Sequence, residues 1–202
     1  MADKLSSSGF VRRAREVFSV ALNEDASGWV ALTTTSYRGS GNVYVTPTVA
    51  VVHHGVNRVL KELSPRVRPY RKDSPTIGIP LTALVPGSSS TDWVFEQTSD
   101  LEPRTSALAA TVRAHALPFM HQYEDLSEVI MGLRLMVAGR SESVAKRLAV
   151  ALLLRGDTSA ALSELDAFAS STVDRTDPAA DDFRMFDQDF RKYVATQSTD
   201  PA

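Results

Sequence analysis

The chain of 202 residues contains no cysteine, so disulfide bonds, thiolate metal ligands and cysteine nucleophiles are excluded together. It also has no run of about 18 apolar residues, which is the length that a membrane-spanning helix requires. The longest apolar run covers residues 148–154 and is flanked by arginines. Residues 1–8 are polar, with no apolar segment behind their charges, which argues against a secretory signal. We therefore expect a cytoplasmic protein.

The sequence signatures of several common catalytic sites are also missing. There is no G-x-S-x-G pattern of a nucleophilic serine, and neither glycine-rich phosphate-binding pattern occurs. The nearest candidate is Ser40 between two glycines, but this segment is more typical of a hairpin turn. The sequence therefore favours a protein that is not an enzyme, and we expect no cofactor.

The four histidines offer few combinations that would bind a metal. His53 and His54 are adjacent at a predicted strand end, so their side chains should point to opposite faces. His121 and Glu124 supply two ligands, but a metal site needs a third and a fourth. We therefore expect no metal site. An unrecognised hydrolase that pairs His53 or His54 with a distant carboxylate is kept as an alternative.

Charge is unevenly distributed along the chain. Residues 1–75 carry a net charge of +5 and residues 157–202 a net charge of −6, within a total of −2. Either the two ends attract each other in the fold, which is the commoner arrangement, or one of them marks a partner surface. Four aspartates of the last predicted helix offer ligands for a divalent cation, although a solvated helix face is the favoured interpretation. They are Asp181, Asp182, Asp187 and Asp189.

The first half of the chain has the two-residue alternation and β-branched composition of strands. Five strands are predicted, one starting at residue 17 and the others covering residues 29–37, 43–52, 76–85 and 93–98. The first three predict an antiparallel meander. Pro47 lies inside the third strand and predicts an edge position or a bulge there. A short amphipathic helix is predicted over residues 56–63.

After Leu101 the apolar spacing becomes helical. The strongest pattern covers residues 126–137, and Pro118 interrupts the helix before it. Gly156 and Asp157 predict a tight link between two later helices. A last helix is predicted over residues 181–194.

Strands first and helices later predict an α+β fold, in which an N-terminal antiparallel sheet is followed by a C-terminal bundle of helices packed on one face. We expect a single domain over residues 1–202. Its mainly β half covers residues 9–100 and its helical half residues 101–195. Residues 1–8 and 196–202 are predicted to be disordered tails.

The last helix carries an aromatic stripe at spacings of 3, 4 and 3 residues, ending at Tyr193. Such a stripe most often docks a terminal helix on its own core, and less often binds a partner. If it binds a partner, the candidate contact residues are Phe183, Phe186, Asp187 and Phe190.

Two basic segments are candidates for contact with nucleic acid. The first holds Arg12, Arg13 and Arg15. The second contains an aromatic residue that can stack on a base, as in other nucleic-acid-binding surfaces. Its candidate residues are Arg66, Arg68, Tyr70, Arg71 and Lys72. The acidic C-terminal third would repel a nucleic-acid backbone, so this interpretation is the alternative rather than the first choice.

Short motifs resemble a family of small bacterial domains of unknown function. They are the start Gly9-Phe-Val-Arg-Arg13, Trp93 after a Gly/Ser-rich turn, and Ala116-Leu-Pro-Phe119 before a helix. The resemblance covers about residues 9–170. Members of that family are suspected of standing near toxin–immunity or other conflict genes. The resemblance therefore implies a binding protein, and it supplies no catalytic residues.

The sequence thus predicts a non-catalytic protein-binding module of bacterial immunity or regulatory type. It would engage a protein partner through the acidic helical half or through the exposed face of the sheet. A basic partner, such as a nuclease toxin, would match the −6 segment. The alternatives are a nucleic-acid-binding protein and an unrecognised hydrolase.

Overall fold

A computed structural model describes residues 1–39, 41–63, 74–87, 93–96, 101–136 and 141–197. An N-terminal antiparallel sheet is followed by a C-terminal set of helices, which confirms the predicted α+β class. The chain divides into two compact units. The sheet unit comprises Met1–His53 and Ile77–Asp125, and the helical unit comprises His54–Thr76 and Leu126–Ala202.

Within the described residues the sheet contains six strands: β1 (Val11–Ala14), β2 (Val17–Ala21), β3 (Ala26–Ser36), β4 (Val43–His53), β5 (Ile77–Pro80) and β6 (Trp93–Phe95). Their order is β1-β2-β3-β4-β5, with β6 also paired to β4, and all pairs are antiparallel. The predicted meander is therefore present as β2, β3 and β4. Strand β1 was not predicted, because its sequence, Val-Arg-Arg-Ala, does not alternate between apolar and polar residues. All four of its side chains are exposed.

Pro47 lies in a central strand, not in the predicted edge strand. On the side of β4 away from β3, β5 pairs with residues 48–51 and β6 with residues 43–45. Pro47 falls between these two pairings, where the ladder requires no N–H donor from it. A proline is tolerated in a sheet where its missing N–H has no partner strand. Pro47 meets this condition, although β4 as a whole has strands on both sides.

One face of the sheet, which we call the first face, forms the core of the sheet unit. It carries the buried side chains of Phe18, Val30, Val49 and Ile77. Gly28 of β3 lies directly against Met120. A glycine allows this close approach, because a Cβ atom at this position would overlap the sulfur of Met120 unless that side chain shifted.

Helices of the sheet unit are α1 (Ala2–Ser6), α3 (Leu101–Thr111) and α4 (Leu117–Gln122), which supplies Met120. A π-helical segment, Val112–Ala116, joins α3 to α4 without a break. Pro118 therefore does not end the helix, because the wider turn preceding it accommodates its ring and its missing N–H. Residues 1–8, predicted to be a tail, contain α1 and bury Leu5 completely.

Helices of the helical unit are α2 (His54–Leu63), α5 (Leu126–Leu135), α6 (Glu142–Leu154), α7 (Thr158–Ser171) and α8 (Pro178–Gln197). Helix α6 is central: it contacts the other four and buries residues around its whole circumference. The predicted link between α6 and α7 is confirmed. Gly156 adopts a φ of 86°, and the Asp157 carboxylate accepts a hydrogen bond of 3.0 Å from the Ala160 N–H. Over the described residues, no helix is long and apolar enough to cross a membrane.

Candidate functional site

The aromatic stripe of α8 lies inside the helical unit. Phe183, Phe186 and Phe190 are each at most 2% exposed. The ring centroids of Phe168 in α7 and Phe183 are 4.5 Å apart. This burial agrees with the favoured interpretation, in which the stripe docks on the chain's own core, and it leaves the three phenylalanines little exposed apolar surface for the alternative of partner contact. Of the four candidate partner residues, only Asp187 retains partial exposure.

Lys146 of α6 is a buried charge that sequence reasoning missed. Its side chain is 3% exposed, and its ammonium forms an ion pair with the carboxylate of Asp182 in α8. The same ammonium lies 5.3 Å from the centroid of the Phe186 ring, within range of a cation–π contact. No feature of the local sequence distinguishes this lysine from a surface lysine, because its partners lie 36 and 40 residues further along the chain.

The acidic residues of α7 and α8 are largely paired with bases of the same unit. Arg191 binds both Asp166 and Asp187, while Asp189 pairs with Lys192. These ion pairs raise the pKa of Arg191, mainly through the hydrogen bond to Asp166. The net charge of −6 already counts Arg191 and Lys192, so these pairs leave it unchanged; bases from outside the segment pair with it at Asp182, through Lys146, and at Glu164, through Arg134. Across the described ranges, no group of three or more His, Asp or Glu side chains is arranged to hold a metal ion.

The pKa of Asp177, immediately before α8, is lowered. Arg175 donates a hydrogen bond of 2.7 Å to its carboxylate, and the N–H groups of Ala179 and Ala180 donate two more, of 3.0 and 3.2 Å. The Arg175 hydrogen bond is the main reason that the pKa of Asp177 falls to about 2. Arg175 also pairs with Glu142 at the start of α6. These contacts anchor the beginning of α8, and they present no open site.

The histidines lie at separate places. His53 is buried at the end of β4, whereas the next residue, His54, is exposed at the start of α2. His115 lies in the π-helical segment. His121 does contact Glu124, with 3.0 Å between its Nδ1 and a carboxylate oxygen. The predicted pair is thus present as an exposed contact at the end of α4.

The second basic segment, with Arg66, Arg68, Tyr70, Arg71 and Lys72, lies outside the described residues. The first segment is described, and its three arginines are exposed on β1 and the turn after it. Arg12 donates hydrogen bonds to the carbonyls of Ala14 and Arg15, of 3.2 and 2.8 Å, so it ties down the turn.

The second face of the sheet is more exposed than the first, except at Ser19, Ala50 and Val52, which are buried. In the strand register, Trp29 lies opposite Ser19 on one side and Ala50 on the other, so these three share this face. Trp29 is only half-buried. Further side chains of this face are half-buried or exposed: Val17, Ala31, Thr33, Thr35, Tyr44, Thr46 and Thr48.

Arg13 reaches this second face from a bulge in the edge strand. Arg12 pairs with Phe18 and Ala14 with Val17, so Arg13 is an extra residue between two register positions. Its Nε donates a hydrogen bond of 2.7 Å to the hydroxyl of Ser19, the neighbour of Trp29. We call Val11, Arg13, Val17, Ser19 and Trp29 the Arg13–Trp29 cluster. The sequence indicated the basic start, but it did not predict this grouping, which depends on the bulge.

A scan against protein-family models, a search of curated proteins and a search of solved structures each found no match for the chain. The resemblance to the bacterial family therefore stays an expectation drawn from its short motifs.

Proposed function

We propose that this chain is a non-catalytic module that binds a protein partner through the second face of its sheet. The immunity or regulatory role is the one that the family resemblance implies. The observation that carries the proposal is that Trp29 is only half-buried on the second face. The first face, by contrast, is covered by Met120 and the other core side chains. Antiparallel sheets commonly pack one face on the core and leave the other available.

The composition of the second face supports this proposal. Trp, Tyr and Arg are the residue types most enriched where binding energy concentrates in protein interfaces. Here Arg13 and Trp29 both neighbour Ser19, the first through a hydrogen bond and the second through the strand register, and Tyr44 lies further along β4. The intervening threonines and small residues form a pleated, β-branched surface that another polypeptide can cover without burying an unpaired charge.

The acidic helical half is the other route by which a partner would bind, and a basic partner would match its charge. Its support is weaker. Asp166, Asp187 and Asp189 already pair with Arg191 or Lys192. A basic partner that binds these three carboxylates would have to compete with Arg191 and Lys192.

A comparison of affinity captures tests the proposed function. The tagged full chain and its Trp29→Ala variant are used as baits in nuclease-treated and untreated lysates. Met185→Ala, which alters an exposed side chain of α8, is the matched control. We expect one dominant protein that survives nuclease treatment, is captured by the control and is lost with Trp29→Ala. A partner retained equally by all three baits would exclude the second face.

Nucleic-acid binding is the second candidate function. It is favoured by the exposed Arg12, Arg13 and Arg15 beside a face that carries Trp29. Titration of a fluorescent oligothymidylate at several salt concentrations tests it. Replacement of the basic residues of both segments by alanine should then lower both the affinity and its salt dependence. They are Arg12, Arg13 and Arg15, and Arg66, Arg68, Arg71 and Lys72. An unchanged salt dependence would remove this candidate.

A further inference from the structure

The chemistry of the partner can be inferred from the Arg13–Trp29 cluster, on the basis of the proposed function. We propose that this cluster binds a protein segment that carries a carboxylate beside an apolar side chain. Arg13 receives the carboxylate, and Trp29 with the two valines covers the apolar neighbour.

The first step of the argument is the position of the Arg13 guanidinium. The bulge and the hydrogen bond from Nε to Ser19 hold it on the second face. Ser19 is itself 9% exposed, so the acceptor is part of the packed sheet rather than a mobile surface group. A guanidinium held in this way loses less conformational entropy when it binds than a free arginine would.

The second step concerns the donors that remain. Over the described residues, the hydrogen bond to Ser19 is the only one that the Arg13 side chain makes, and it uses only Nε. The two terminal nitrogens form the outer fork of the guanidinium, whose geometry matches the two oxygens of a carboxylate. Arg12 is different, because two of its nitrogens already donate to backbone carbonyls.

The third step is the uncompensated charge around the cluster. Arg12, Arg13 and Arg15 take part in no ion pair within the described ranges. The nearest acid in sequence, Glu16, accepts a hydrogen bond of 2.8 Å from the hydroxyl of Thr34. This edge of the sheet is therefore positive, and a partner with negative charge is complementary to it.

The fourth step concerns the apolar neighbours of the guanidinium. Val11 is opposite Ser19 and is 55% exposed, and Trp29 and Val17 are half-buried. A carboxylate that binds beside these side chains would be shielded from water, which strengthens a charge-assisted pair. The cluster thus combines one cation with an apolar surround, which is typical of an anchoring site in a protein interface.

The distribution of aromatic residues favours a protein over a nucleic acid at this cluster. Successive stacked bases need aromatic rings close together. Tyr44 lies six residues along β4 from Ala50, the neighbour of Trp29, which corresponds to about 20 Å. Trp29 is therefore the only half-buried or exposed aromatic residue beside Arg13 in the described part of this face.

Selection from a display library of random peptides on the immobilised full chain tests the inference. Selected peptides are synthesised and titrated against the wild type and the variants Arg13→Gln, Arg13→Lys and Trp29→Ala. Arg38→Gln, which removes an exposed arginine from the turn between β3 and β4, is the matched control. Circular dichroism and thermal melting establish that each variant is folded.

The inference predicts peptides with Asp or Glu whose affinity falls about tenfold or more with Arg13→Gln. Arg13→Lys should give an intermediate affinity, because an ammonium keeps the charge but loses the two-point contact. Arg38→Gln should leave the affinity unchanged. Peptides that lack a carboxylate, or that bind Arg13→Gln equally well, would overturn the inference while leaving protein binding intact. If no peptide is selected and an oligothymidylate binds through Arg13 instead, both the proposed protein binding and the inferred carboxylate recognition would be overturned.

Discussion

Lys146 of α6 is buried against Asp182 of α8, and the two side chains differ in their access to water: the lysine is 3% exposed and the aspartate 27%. A charge left unpaired in the interior is strongly destabilising, whereas one that reaches water is less so. The two partners are therefore not equivalent, although they form the same ion pair.

Removal of Asp182 should consequently destabilise the protein more than removal of Lys146. We expect Asp182→Ala to lower the free energy of unfolding by about 3 kcal/mol, because it leaves the buried ammonium unpaired. Lys146→Met, which keeps the length of the side chain, should cost only about 1 kcal/mol. Urea denaturation of both variants measures the difference.

The double variant provides the control for this prediction. If the buried charge is the cause, Lys146→Met combined with Asp182→Ala should be more stable than Asp182→Ala alone. Asp189→Ala, which breaks an exposed pair with Lys192, should have little effect. Equal losses for the two single variants would instead assign the effect to packing.

Asp177 should make the stability of the protein depend on acid pH. Its pKa is lowered from 3.8 to about 2, mainly by the hydrogen bond from Arg175. A carboxyl with a depressed pKa in the folded state stabilises the fold above its unfolded pKa, and this contribution disappears as the pH falls from about 4 towards 2. Asp177→Asn should therefore be less stable than the wild type at neutral pH, and the gap should narrow in acid. Urea midpoints over a pH series measure it, and a constant gap would contradict the assignment.

Gly28 and Gly78 should differ in their tolerance of alanine. A Cβ atom at Gly28 would overlap the flexible side chain of Met120. At Gly78 it would lie 2.9 Å from the backbone oxygen of Val49, which cannot move without distorting the sheet. Overpacking costs about 1–3 kcal/mol, and we expect Gly78→Ala at the upper end and Gly28→Ala at the lower end. Thermal melting compares the two, and the reverse order would show that Met120 cannot adjust.

Ser19 should act as a positioning residue for Arg13. Ser19→Ala removes the acceptor of the 2.7 Å hydrogen bond but leaves the guanidinium in place as a charge. We expect the affinity for a carboxylate peptide to fall several-fold, since one hydrogen bond contributes about 1 kcal/mol. Ser19→Thr, which restores a hydroxyl, should recover most of the affinity. A loss of stability without a change in affinity would contradict this role.

Local sequence signals predicted several parts of the fold well. The strands β2, β3 and β4 follow from alternation, and the link at Gly156 and Asp157 follows from the chemistry of helix ends. By contrast, α1 was missed, because five residues hold too little periodicity to indicate a helix. Pro118 predicts an interruption of the helix, because a π-helical turn cannot be recognised from the proline alone.

The candidate site was predicted less well than the fold. The aromatic stripe of α8 has the same spacing whether it docks on the chain's own core or binds a partner, so the sequence alone does not distinguish the two. The burial of Phe183, Phe186 and Phe190 decided between them. The arginines of the first basic segment were noted for their charge, but their separate roles were not predicted. Arg12 binds the turn and Arg13 binds Ser19, a difference that depends on one extra residue in β1.

The sequence by itself determined the α+β class, the order of strands before helices and the link between α6 and α7. These features depend on contacts within a few residues. Only the tertiary structure decided that Lys146 is buried, that Pro47 lies in a central strand and that Arg13 lies beside Trp29. Each of these depends on residues far apart in the chain, or on a register that a single inserted residue shifts. Local periodicity carries no information about such pairings.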